Sequence, residues 1–134
     1  MKIHARYFSQ DEINALIPEL EGIFVRFSEK KDERDRMHDF LLIEELLKDA
    51  TAGMIAPDHI DTEAMKVDQA IVEMEHEIKK ITSLGCIIRS LEHGMVDFPA
   101  EKDGEKIYFS WRCGEKAVSF WRAAHVPFSQ RLPL

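Results

Sequence analysis

At Gly85 the apolar pattern of this chain changes period, and that change limits the fold more than any other feature. Before it, Ala64, Val67, Ile71, Met74, Ile78 and Ile81 step by three and four residues, the spacing of one helix face. After it, Cys86-Ile87-Ile88-Arg89-Ser90-Leu91 reads as a strand, with a period of two. Gly85 suits the left-handed position that closes a helix. Helices followed by strands in one chain make an α+β protein.

The helical part begins with Phe8-Ser9-Gln10-Asp11-Glu12, a capping box with Phe8 at the staple position. Ile13, Leu16, Leu20, Ile23 and Phe27 then mark one face, with Pro18 inside the pattern predicting a kink or an early break. A polar stretch, residues 28–36, precedes Met37, Phe40, Leu41, Ile43, Leu46 and Leu47. Phe27 and Leu41 are two heptads apart, so the phase is kept. One helix over about 10–48 fits this, as do two helices broken near 28–36. Residues 51–58 read as a loop and a second helix starts near Asp61-Thr62.

In the second part, Met95-Val96-Asp97-Phe98 is a short strand closed by Pro99. Asp103-Gly104 is a hairpin signal leading into Lys106–Trp111, and Lys116–Trp121 is the last strand. The tail from Ala123 holds Pro127 and Pro133 and reads as irregular. The expected architecture is one domain: an antiparallel helical hairpin over 1–84 packed with an antiparallel sheet of about four strands and a tail over 85–134.

Composition narrows the function. The net charge is −7, and the acidity is concentrated in residues 1–84, with 11 basic and 19 acidic side chains. Residues 85–134 carry 7 and 6. Without a basic stripe, nucleic acid is a poor partner. No apolar run approaches the ~20 residues of a membrane span. Two cysteines, Cys86 and Cys113, make no disulfide framework and no Cys-x-x-Cys pair, which points to the cytoplasm.

Two blocks resemble a bacterial family, the domain of unknown function 2203. One is Phe8-Ser9-x-x-Glu12-x-Asn14-x-Leu16-Ile17-Pro18-x-Leu20. The other runs from Gly94-Met95-Val96-Asp97-Phe98-Pro99 through Trp111-Arg112-x-Gly114-Glu115 and Trp121 to Phe128-x-x-Arg131. The resemblance implies a helical hairpin followed by a small β unit, and no activity. The family carries Cys before Trp111, where this chain has Ser110. It carries His after Trp121, where this chain has Arg122. Thiolate or imidazole chemistry at those places does not carry over.

The candidate ligand-binding residues are Asp97, Arg112, Glu115, Arg122 and Arg131. Asp97 ends a strand beside a proline and either holds a ligand or fixes its turn by pairing with Arg131 or Arg112. Glu115 follows a turn glycine and is a ligand or a solvated surface group. Arg89, Arg112, Arg122 and Arg131 all lie in the β part. Converged, they make an anion site; apart, they pair with acidic helices. Seven of the 12 aromatic residues fall between Phe98 and Phe128, which makes that segment core on one sheet face. Asp35-x-x-His38 and Glu73-x-x-His76 have the spacing of di-metal bundles, but Glu73 and His76 lie off the apolar seam. Neither a metal nor a cofactor is expected, and no catalytic residue is assigned; Cys113 with His125 lacks any base-orienting pattern.

The function expected from this reading is a non-enzymatic interaction or scaffold module, a homodimer with an unidentified protein as a further partner. The alternative is a ligand or enzymatic site built on Asp97, Glu115 and the arginines. Dimerisation is expected at Met37, Phe40, Leu41 and Leu47, where the first helix outruns the second. Phe128 is expected to anchor the tail and bring Arg131 to Asp97 or Glu115.

Overall fold

Ser9 and Glu12 exchange the two hydrogen bonds of a capping box, each at 3.2 Å, and helix α1 starts one residue after Ser9, at Gln10. The guanidinium of Arg6, together with Ser9, holds the Glu12 carboxyl below the usual carboxylate range. The computed structural model describes residues 6–51 and 57–134. It has α1 over Gln10–Thr51, α2 over Pro57–Ser83, and strands β1 (Ile87–Ser90), β2 (Met95–Lys102), β3 (Glu105–Arg112), β4 (Phe120–Ala123) and β5 (Leu132–Pro133). Neighbours in sequence pair antiparallel in the order β1-β2-β3-β4-β5. The α+β architecture of two helices and an antiparallel sheet is the one the change of period predicts.

Residues 10–51 form one helix, not two. Pro18 removes the donor for the Asn14 carbonyl, but both residues lie on the exposed face of the helix, and the helix continues through them. Helix α2 begins at Pro57, earlier than the Asp61-Thr62 signal, because proline is well suited to a first helical position.

The chain divides into two units. The first joins the segment up to Phe24 with Lys79–Leu134. Its core is Phe8, Ile13, Ile17, Leu20, Ile23 and Phe24 against Ile81, Cys86, Val96, Phe98, Trp111 and Val118. Phe8 meets Phe98 edge-on at 5.2 Å, and Phe24 lies 6.2 Å from Trp111. The α1 stripe is broader than the predicted one: Ile17 and Phe24 are buried and Leu16 only half so, because a sheet is a wider partner than a helix.

Three strand boundaries differ from expectation. Strand β2 runs past Pro99 to Lys102. The Pro99 carbonyl accepts the Phe8 N–H at 2.8 Å, on the edge away from β3, and a residue's N–H faces the same edge as its carbonyl. The missing proline donor therefore costs the β2–β3 ladder nothing. Residues 116–119 are not strand, since α1 captures the backbone of this connection. Asn14 Oδ1 accepts the Val118 N–H at 2.8 Å and Glu21 accepts the Gly114 N–H at 3.0 Å. The tail supplies a fifth strand: Leu132 and Pro133 pair with Trp121 and Phe120.

The second unit, Val25–Ile78, is a helical hairpin. Arg26 pairs with Glu77 at 3.1 Å and Lys30 with Glu73 at 2.7 Å, so numbers rise on α1 as they fall on α2. The buried stripe of α2 here is Glu63, Ala70, Met74 and Glu77. It is rotated from the predicted seam: Ala64, Val67 and Ile78 are half-buried, and Ile71 is 37% exposed. Met37, Phe40 and Leu41 are half-buried within the hairpin, and the Leu47 side chain lies outside the described residues. The length by which α1 exceeds α2 is at its N-terminal end, where Ile13–Phe24 join the core of the first unit. Among the described residues, the large exposed apolar side chains of α1 in the hairpin are instead Val25, Leu42, Ile43 and Leu46.

Candidate functional site

Strand alternation and register build a polar cluster on one face of the sheet. Val96, Phe98 and Trp111 point into the core; the residues between them, Asp97 and Ser110, point the other way. The register sets Asp97 opposite Ser110 and Tyr108 opposite Arg122.

Asp97 is fully buried. Its Oδ1 accepts the Ser110 hydroxyl at 2.8 Å. Its Oδ2 accepts Arg89 Nε at 2.7 Å and Arg122 Nη2. Arg122 Nη1 donates to the Val126 carbonyl, beyond β4, while the buried Nε has no hydrogen-bond partner among the described residues. Both guanidiniums lie against Tyr108, Arg89 at 5.2 Å and Arg122 at 5.0 Å from the ring centre, and the Lys106 ammonium is 5.4 Å away. Burying a carboxylate and a guanidinium is costly unless they meet each other with good hydrogen bonds, as these do.

Glu115 and Arg131 form a second cluster. Arg131 grips both carboxylate oxygens, at 3.0 and 2.7 Å, and its guanidinium stands 4.2 Å from the Phe120 ring and 4.8 Å from Phe128. Glu115 also accepts the Arg112 backbone N–H at 2.8 Å, and its carbonyl accepts Trp111 Nε1 at 2.8 Å. The tail thus folds back as expected, and of the two carboxylates offered to Arg131 it takes Glu115. Phe128 serves this contact, half-buried, instead of entering the core.

The five predicted residues therefore fall into two places and a remainder. Asp97 joins Arg122, Glu115 joins Arg131, and the exposed Arg112 enters neither cluster through its side chain. Neither Arg131 nor Arg112 is the partner of Asp97; Arg89 and Arg122 are. Ser110 and Tyr108 belong to the site and were not candidates, and Arg89 entered only as one of the four arginines that could converge. Period-two alternation puts Tyr108 and Ser110 on one face, but only the register reveals that the face is that of Asp97. Ser110 and Arg122, the two departures from the family pattern, both bond the same carboxylate.

The carboxylates and thiols of the remaining constellations have structural partners. Asp35 pairs with Arg34 and Lys31, and Glu73 with Lys30 and Gln69. These contacts, those of Arg34 and Lys30 foremost, hold both carboxyls below their ordinary range. Cys113 donates to Glu21 at 3.2 Å, not to His125; burial and the Glu21 carboxylate push its thiol up to about 12. Burial pushes Cys86 up to about 11. At pH 8, native Cys113 is expected to react with iodoacetamide roughly a thousandfold more slowly than in the unfolded chain, since the thiolate is the nucleophile. Mass spectrometry of timed quenches checks this; equal rates in native and denatured protein would reject it.

With this geometry in place, the chain can be compared with known proteins. The family model described as "Uncharacterized conserved protein (DUF2203)" matches residues 6–134. The chain belongs to this family. No curated protein and no solved structure matches the chain. Among the described residues of this family member, no helix is long and apolar enough to cross a membrane.

Proposed function

We propose that the chain is a non-enzymatic interaction module of the cytoplasm that works as a homodimer, joined through its helical hairpin. The observation that carries this reading is the rotation of the α2 seam. The clearest apolar row in the sequence is only partly covered by the chain itself: Met74 and Ile81 are buried, Ala64, Val67 and Ile78 are half-buried, and Ile71 at its centre is 37% exposed. Met65 and Val72 stand exposed beside it, and Leu42, Ile43 and Leu46 are exposed on α1. Among the described residues, seven of the ten large exposed apolar side chains lie in the hairpin, which supports an interface on it. A second copy supplies the same surplus, and closed twofold pairing lets each chain cover the other. The carboxylates of Asp97 and Glu115 in the β part are already paired with arginines, which supports an interaction role over a reactive centre. Both cysteines are free thiols, in keeping with a reducing compartment.

Light scattering coupled to gel filtration tests the proposal. The intact chain is expected at twice its 15.5 kDa mass, and Leu42→Glu with Leu46→Glu is expected to return it to the monomer with unchanged helical circular dichroism. A monomeric wild type at about millimolar concentration, far above the dissociation constants of specific dimers, would sink it.

A further inference from the structure

We infer that Arg89 and Tyr108 form a binding site for a carboxylate monoanion, with the buried Arg122 supplying charge behind them and Asp97 as the residue that positions both arginines. Two of the four arginines of the β part do converge. Both guanidiniums bond one oxygen of one carboxylate, so the Arg89–Asp97–Arg122 group carries one positive charge in excess. Among the described residues neither arginine pairs with a further acid; Glu115 is held by Arg131, and Glu101 stands opposite Lys106 across the strand pair.

The excess charge is reachable at Arg89. The Arg122 side chain is 6% exposed and the Asp97 side chain 0%, whereas that of Arg89 is 37% exposed. Arg89 gives only its Nε to Asp97, and both its Nη groups are without hydrogen-bond partners among the described residues. A guanidinium bound through Nε on one side and lying against an aromatic ring has its outer edge fixed in direction. That edge presents parallel N–H donors at the spacing of carboxylate oxygens. The Tyr108 hydroxyl, also without a partner among the described residues, supplies a further donor on the same ring that both guanidiniums face.

Charge selects the class of anion. A single carboxylate neutralises the excess. A phosphate dianion would leave a net negative charge close to the buried Asp97, which repels it. The arrangement therefore favours a small carboxylic acid over a phosphate ester.

The test is a titration of the full-length protein with sodium acetate, chloride being replaced so that ionic strength is constant. The Nε–H resonances of Arg89 and Arg122 are followed by nuclear magnetic resonance. Saturable shifts are expected at both, with half-saturation at about 1–10 mM for so small a probe. Arg89→Gln, at a partly exposed position, is expected to weaken binding at least tenfold while the amide spectrum of the core is unchanged. Tyr108→Phe is expected to weaken it several-fold. Inorganic phosphate at the same ionic strength is expected to bind more weakly than acetate. Shifts that grow linearly, undiminished binding by Arg89→Gln, or tighter binding of phosphate would each overturn the assignment. The Leu42→Glu, Leu46→Glu variant is expected to bind acetate like the wild type, so the outcome is independent of dimerisation.

Discussion

Replacing Asp97 by alanine is expected to lower folding stability by about 3–5 kcal/mol, the range for breaking one side of a buried ion pair. The carboxylate is fully buried and serves three donors from three strands: Arg89 on β1, Ser110 on β3 and Arg122 on β4. Without it, the Arg122 guanidinium is left 6% exposed with no counter-charge, and the Ser110 hydroxyl loses its acceptor. Arg89 suffers less, since it reaches water. A small domain has about 5–15 kcal/mol in all, so the loss is a large share. Replacing Asp97 by alanine and Arg122 by methionine together is expected to cost at least 1 kcal/mol less than the two single losses combined, because removing both charges leaves neither stranded. Urea denaturation at neutral pH measures all four corners of the cycle. Strict additivity, or an Asp97→Ala variant within about 0.5 kcal/mol of wild type, would show that water replaces the carboxylate and that the cluster is not a coupled unit.

Gly94→Ala is expected to be comparably damaging for a different reason. Gly94 ends the turn before β2 with φ +65°, and a Cβ placed there would lie 2.5 Å from the Cys113 Cβ. The Cys113 N–H also donates to the Gly94 carbonyl at 2.9 Å, so the two backbones cannot separate without losing a hydrogen bond. Left-handed backbone costs a non-glycine residue roughly 1–2 kcal/mol, and forcing a methyl group into filled space roughly 1–3 more. Gly104 supplies the control. Its φ is +79° and nothing lies within 4 Å of an added Cβ. Gly104→Ala is thus expected to show only the backbone part, about 1–2 kcal/mol. Chemical denaturation of both variants separates the terms. Equal losses would mean that the Gly94–Cys113 contact opens freely.

Dependence on local pattern explains which structural features could be anticipated. The capping box at Ser9 and Glu12, the hairpin turn at Asp103-Gly104 and the phase kept from Phe27 to Leu41 are relations between residues at most two heptads apart. Each appears in the structure. Pro99 and Lys116–Ser119 were misread because their backbone partners are distant: Phe8 approaches the open edge of β2, and Asn14 and Glu21 take donors that strand pairing would have used. The α2 seam shows the same limit in a helix. Periodicity located its apolar row, but Glu77 is buried beside that row because Arg26, 51 residues away, pairs with it.

The candidate site divides along the same line. Residue types alone marked Asp97, Glu115, Arg122 and Arg131 as charged groups in an otherwise aromatic, strand-forming segment. The short tail, anchored in the β part, was enough to bring Arg131 to Glu115. The choice of Arg89 and Arg122 for Asp97 was not readable, because a shift of one residue in the β1–β2 or β3–β4 register would send those side chains to the other face. The sequence by itself determined the α+β class, the hairpin, the alternation that turns Asp97 away from the core, and the donors and acceptors available. Tertiary structure alone decided which donors meet which acceptor, which row of α2 is buried, and where a positive charge is left over. Period and propensity act over a few residues, whereas register, ion pairing and burial depend on surfaces that meet only after the chain has folded.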